Sequence, residues 1–201
     1  MKKVSVKTKS PLWAFFICIY KKRKIRYRKN GEITMKKNYQ GRKFLTDSPN
    51  LKAIGWKTFL DDNNKLNAEF HIAWGSSFVY LHNDNNRPIS EFLNKLEKIK
   101  AHLNLMIKSL SNNEEHEPMK EWLNPEDSLF TGSVAWAIKR KSYIPGEECV
   151  YFEIASCDDK IRIWQYQVGI KKMITVLNNI NNELLKLKKS VFFFLLSNNK
   201  S

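Results

Sequence analysis

The chain has 201 residues, 42% of them hydrophobic, enough for one domain or two small lobes that share a core and fold without covalent staples. Its three cysteines, Cys18, Cys149 and Cys157, form no Cys-x-x-Cys pair and have no histidine cluster beside them. That spacing argues against a disulfide framework or a zinc site and fits a cytoplasmic, reducing compartment.

The net charge is +15, but residues 1–34 hold 11 Lys/Arg against one acid, Glu32 (+10), while residues 35–201 hold 24 against 19 (+5). Within the basic segment, Leu12 to Tyr20 is an unbroken apolar run, too short to cross a bilayer, which needs about 20 residues. Lys21, Lys22, Arg23 and Lys24 then stand where a secretory signal would place small residues for cleavage. Two readings of residues 1–34 follow. A basic-flanked apolar patch can rest on an anionic membrane surface. Alternatively, Met35 is the biological start: Gly31-Glu32 back-translates to GGN-GAR, which can contain a bacterial ribosome-binding core just ahead of the Met35 codon. Either reading sets residues 1–34 apart from the folded core.

After a polar lead-in (36–51), "KAIGWKTFL" (52–60) reads as a strand. Asp61 to Asn64 is a turn of residues that bond their own backbone and tolerate left-handed conformations. "LNAEFHIAW" (66–74) alternates, Gly75-Ser76 turns the chain, and "SFVYLH" (77–82) is a third strand. Past Pro88, Ile89, Phe92, Leu93, Leu96, Ile99, Leu103, Met106 and Leu110 recur at helical spacing, with Ser90 as the expected N-cap. The acidic, proline-containing stretch 111–127 reads as a linker.

The plan then repeats. Strands are predicted over 129–144, 148–156 and 161–168, and Ile170, Met173, Ile174, Leu177, Ile180, Leu184 and Leu187 mark a second helix to 189. Residues 190–201 read as a hydrophobic tail. The expected organisation is therefore a basic segment (1–34), a first βββα unit (35–110), a linker (111–127), a second βββα unit (128–189) and a tail (190–201). Phe-x-Ile-Ala stands in both halves, at Phe70–Ala73 and Phe152–Ala155. The expected fold is α+β: two strand-strand-strand-helix units forming an antiparallel sheet with two long helices packed on one face.

Alternation sends Phe70, Ile72, Val79 and Leu81 toward the first helix and Phe78, Tyr80 and His82 to the opposite face. The second half adds Tyr151, Glu153, Arg162, Trp164 and Tyr166 to that face, with Lys139, Arg140 and Lys141 in the hairpin that frames it. Rings beside cations are how a sheet holds single-stranded DNA or RNA, because every base has a π-face. A plainer structural reading is a second covered face, under residues 36–51, the linker or another copy in a homodimer. In element order the two strand-rich units with trailing helices resemble PUR-repeat and Whirly-type single-strand binders, though no motif is shared.

Catalytic signatures are missing. His71, His82, His102 and His116 form no metal-spaced pair, Asp61-Asp62 and Asp158-Asp159 fall in turns, and seven glycines build no phosphate loop. The expectation is a non-catalytic binding protein for single-stranded nucleic acid, with no cofactor or metal. The alternative is a protein-interaction module, such as a bacterial immunity protein, antitoxin or phage-encoded inhibitor, using the same face or the acidic linker.

Overall fold

The computed structural model describes residues 26–29, 32–35, 39–45, 52–83, 87–123, 132–139, 149–156 and 159–198. Two compact units divide the chain, residues 1–36 and 37–201. In the first, β1 (Arg26–Lys29) and β2 (Glu32–Met35) pair as an antiparallel hairpin. The second is α+β and runs β3 (Tyr39–Phe44), β4 (Lys52–Leu60), β5 (Leu66–Trp74), β6 (Ser77–His82), α1 (Ile89–Ser111), β7 (His116–Trp122), β8 (Ser133–Lys139), β9 (Cys149–Ser156), β10 (Asp159–Trp164), a single turn α2 (Gln165–Val168) and α3 (Ile170–Asn198).

Each half has four strands rather than three. The polar lead-in supplies β3, the linker supplies β7, and both are outer-edge strands of antiparallel sheets ordered β3-β4-β5-β6 and β10-β9-β8-β7. Edge position explains how polar sequences serve: one flank of the strand stays open to water, and Pro118 sits at a register shift in β7 where a missing N–H costs least. Gly41 in β3 faces the Trp56 indole with no room for a Cβ, so only glycine lets β3 approach β4 there.

The turns follow local chemistry. Asp61 Oδ1 accepts from the backbone N–H of Asn63 and of Lys65, both at 2.9 Å, and Asn64 takes a positive φ of 59°. These bonds hold the Asp61 carboxyl below its ordinary range. Gly75 turns β5 into β6 at φ 63°. The N-cap of α1 is Pro88 and not Ser90. It makes no side-chain cap, and Arg87 pairs with Glu91 across the first turn at 3.1 Å. The expected strand 161–168 stops at Trp164, because Gln165–Val168 coil into α2 and Gly169, at φ 75°, breaks that turn from α3. The tail is no appendage: α3 continues to Asn198, with Val191 and Phe194 fully buried.

The helices exchange sheets. Helix α3 lies on β3, β4 and β5 of the first half, and α1 lies chiefly on β8 of the second. Trp56 Nε1 donates to Glu183 Oε2 at 2.9 Å, and the Thr58 and Ser190 hydroxyls bond, tying β4 to α3. On the other side Trp136 Nε1 in β8 donates to His102 Nδ1 in α1 at 3.0 Å. An indole N–H into Nδ1 leaves the ring proton on Nε2, which donates to Glu121 Oε2 in β7 at 2.8 Å. Between the helices, Lys188 reaches Glu97 at 2.6 Å and Asn181 reaches Asn104 at 2.7 Å. The expectation that Phe70 and Ile72 face the first helix is thus corrected: their sheet is roofed by the second. One buried cluster runs through both sheets and both helices, so neither half closes its own core.

Candidate nucleic-acid interface

The ladder registers fix which side chains leave the helix-covered faces. On the first sheet, Ile54, Ile72 and Val79 align inward, as do Trp56, Phe70 and Leu81. Gly55, His71 and Tyr80 align outward in one row, and Lys57, Glu69 and His82 in the next. Phe78, Tyr80 and His82 therefore line the outer side of β6. Their rings follow one another, 6.3 Å from Phe78 to Tyr80 and 5.2 Å from Tyr80 to His82, nearly parallel. Phe78 and His82 are exposed and Tyr80 is half-buried. Burial, with the Glu69 carboxylate as a charged neighbour, pushes the Tyr80 hydroxyl far above its ordinary range. His71 lies over Gly55, where a Cβ would collide with its ring, and burial lowers its pKa.

On the second sheet the outward rows are Ala135, Glu153 and Arg162, then Ala137 and Tyr151 with Trp164. Tyr151 and Trp164 rings are 5.3 Å apart. The Arg162 guanidinium lies 4.6 Å from Tyr151 and 5.0 Å from Trp164, a cation held between two rings. It also bonds the buried Glu153 carboxylate at 2.6 Å. Arg162 is thereby committed to an internal ion pair, and what it offers a ligand is a charged plane rather than a mobile phosphate contact.

Tyr166 was expected on the same strand as Trp164. It stands instead on α2, yet its ring stacks on Trp164 at 5.6 Å with 27° between planes and is 77% exposed. Gln167 holds that turn in place. Its side-chain oxygen accepts from Trp74 Nε1 at 2.9 Å and from the Trp164 N–H at 3.3 Å. The result is a ladder of Arg162, Trp164 and Tyr166 with its outermost ring in water. Lys139 is on the outer side of β8 and pairs with Glu117 at 2.7 Å. Arg140 and Lys141 lie outside the described residues.

The strands bearing the two ring rows are also the strands at which the sheets meet. β6 runs against β10, and the Ser156 hydroxyl donates to the Tyr80 carbonyl at 2.8 Å. Sequence reasoning missed Trp122, 50% exposed on the outer side of β7 with the Lys120 ammonium 4.3 Å over its ring. It also missed Phe59, whose ring carries the Lys57 ammonium at 3.9 Å. The signal for Trp122 was the alternation of Lys120 and Trp122, hidden among acids and behind Pro118.

Among the described residues no group of three His, Cys, Asp or Glu side chains is placed to hold a metal ion. Two of the histidines have structural partners, His102 in the Trp136–Glu121 relay and His116 on the Ser109 hydroxyl at 2.9 Å. No described helix is long and apolar enough to cross a membrane. No protein-family model matches the chain, and no curated protein or solved structure matches it significantly.

Proposed function

We propose that the protein binds single-stranded DNA or RNA on the outer sides of its two sheets, as a non-catalytic binding protein. The observation that carries the reading is the Arg162–Trp164–Tyr166 ladder: a stacked row ending in a ring that is 77% exposed, on the side away from a completed core. A ring that the core does not need, set on a cation and open to water, is a platform for a base of any sequence. Phe78, Tyr80 and His82 offer a second row, and Lys57, Lys120 and Lys160 supply positive charge on the same faces. Residues 39–44 of the lead-in and 116–122 of the linker lie at the outer edges of the sheets, as β3 and β7.

The test is a titration of labelled oligo-dT and oligo-U at two salt concentrations. If about three cations each contact a phosphate, affinity falls about 20-fold between 50 and 200 mM salt, because single-strand binding releases counterions with a slope near −0.7 per contact. Absence of binding to either strand at the lower salt contradicts the proposal.

One observation favours a second reading, a protein-interaction module. Phe192, Phe193 and Leu196 are exposed on α3, with Tyr39 of β3 packed edge-on at 5.7 Å from Phe193. On this reading Phe193→Asp releases a bound protein partner and leaves oligonucleotide affinity unchanged.

A further inference from the structure

At one end of the first sheet's outer face, where β4 turns into β5 and β6 ends, lies a cleft of about 370 Å³. Its floor is β5, through Asn67 and Glu69, and its sides are Phe59 of β4 and Tyr80 with His82 of β6. The backbones of β4 and β6 are two strand spacings apart, about 9–10 Å, which leaves room between their rings for one planar heterocycle. The volume falls in the range of small-molecule sites.

The closed end of the cleft is locked before any ligand arrives. Asp61 spends its oxygens on Asn63, Lys65 and, at 3.2 Å, the Asn67 amide. Asn83 in turn bonds Asn67 at 3.3 Å and accepts from the Ala68 N–H at 2.5 Å. Glu69 is different: it is half-buried mid-floor, between Lys57 and His82 in the register, with Tyr80 beside it in the lining. A carboxylate offers about four acceptor positions, more than one neighbouring hydroxyl can fill.

Resting on the single-strand reading above, we infer that this cleft takes one base carrying an exocyclic amine and rejects thymine and uracil. A carboxylate flanked by rings accepts the amine of cytosine, adenine or guanine. Thymine and uracil offer one N–H between two carbonyls, so acceptor would meet acceptor on a preformed floor. The cleft is thereby a base-selective subsite at the end of a sequence-tolerant ring row, and it sets the register of the bound strand.

The experiment uses the full chain and oligo-dT strands carrying a single dC, or a single dU, at each position in turn. These two bases differ at C4 by amine against carbonyl. The expected result is one register at which dC binds about tenfold tighter than dU, the size of a good polar base contact. Glu69→Gln brings that ratio close to one by raising dU and oligo-dT affinity, because a carboxamide presents its nitrogen to a carbonyl as readily as its oxygen to an amine. Should Glu69→Gln melt early, Phe59→Ala removes one wall instead and lowers the dC advantage. Equal dC and dU affinity at every position, with oligo-dT still bound, overturns the subsite and leaves the single-strand reading intact. Failure to bind any strand removes both. Discrimination that disappears with a chelator assigns the cleft to a cation and overturns the base subsite.

Discussion

The exchange of helices makes a sharp energetic prediction, because His102 and Trp136 belong to different halves yet share a buried hydrogen bond. Trp136 is fully buried, so removing its acceptor leaves an indole N–H without water or partner. His102→Leu should therefore cost about 1–3 kcal/mol, the penalty of an unsatisfied buried donor, with little added at half-exposed Glu121. Trp136→Phe removes the donor and part of the ring and should cost about 2–3 kcal/mol through the residual cavity. In the double variant neither orphan remains. The cycle should therefore show a coupling of about 1–2 kcal/mol, read from urea midpoints at unchanged m-value. If α1 instead lay on its own half's sheet, these sites would be independent. Additivity within about 0.5 kcal/mol would refute the exchange.

Two other outcomes follow from the same contacts. The His71 pKa is lowered by burial, so the unfolded chain binds this proton more readily; its contribution is complete above pH 6.5 and declines as pH falls below it. Glu97 and Glu121 are held down by Lys188 and Lys98 respectively, so their contribution is lost only as pH falls below about 4.5. A melting series from pH 8 to 3 should thus fall in two stages, and a flat profile between pH 7 and 5 would contradict the lowered pKa of half-buried His71. Truncation separates the ends of the chain. A fragment of residues 37–198 should unfold cooperatively, whereas stopping at Lys189 removes buried Val191 and Phe194 and should cost about 3–6 kcal/mol by urea denaturation.

What the sequence disclosed depended on how much of each element's environment was local. β4, β5 and β6 follow the alternation of 52–60, 66–74 and 77–82 residue for residue, because each has one apolar and one mixed face. β3 and β7 were read as irregular because edge strands need no continuous apolar pattern, and Gly41 and Pro118 mimic loop punctuation. Periodicity told which side of each helix is buried but is blind to which sheet buries it; that choice is made by long-range pairs such as Trp56 with Glu183. In the tail, the Leu187, Val191, Phe194 spacing continues the helical stripe beneath a run of apolar residues that hides it. The ring rows were legible because side-chain alternation survives in β6 and β10. Tyr166 reached its row by another route, since its backbone had already left the strand for α2.

The central claim, that the exposed ring ladder is a binding platform rather than a stray surface, turns on Tyr166. Its ring is 77% exposed and, among the described residues, has Trp164 as its aromatic contact, so its loss should leave the melting temperature almost unchanged. The decisive measurement is the oligo-dT affinity of Tyr166→Ala against the parent protein at one fixed low salt concentration, with melting curves on the same samples. Loss of one stacking ring should weaken binding by about 1–3 kcal/mol, or about 5- to 100-fold, with stability preserved. Equal affinity in parent and variant would contradict the account.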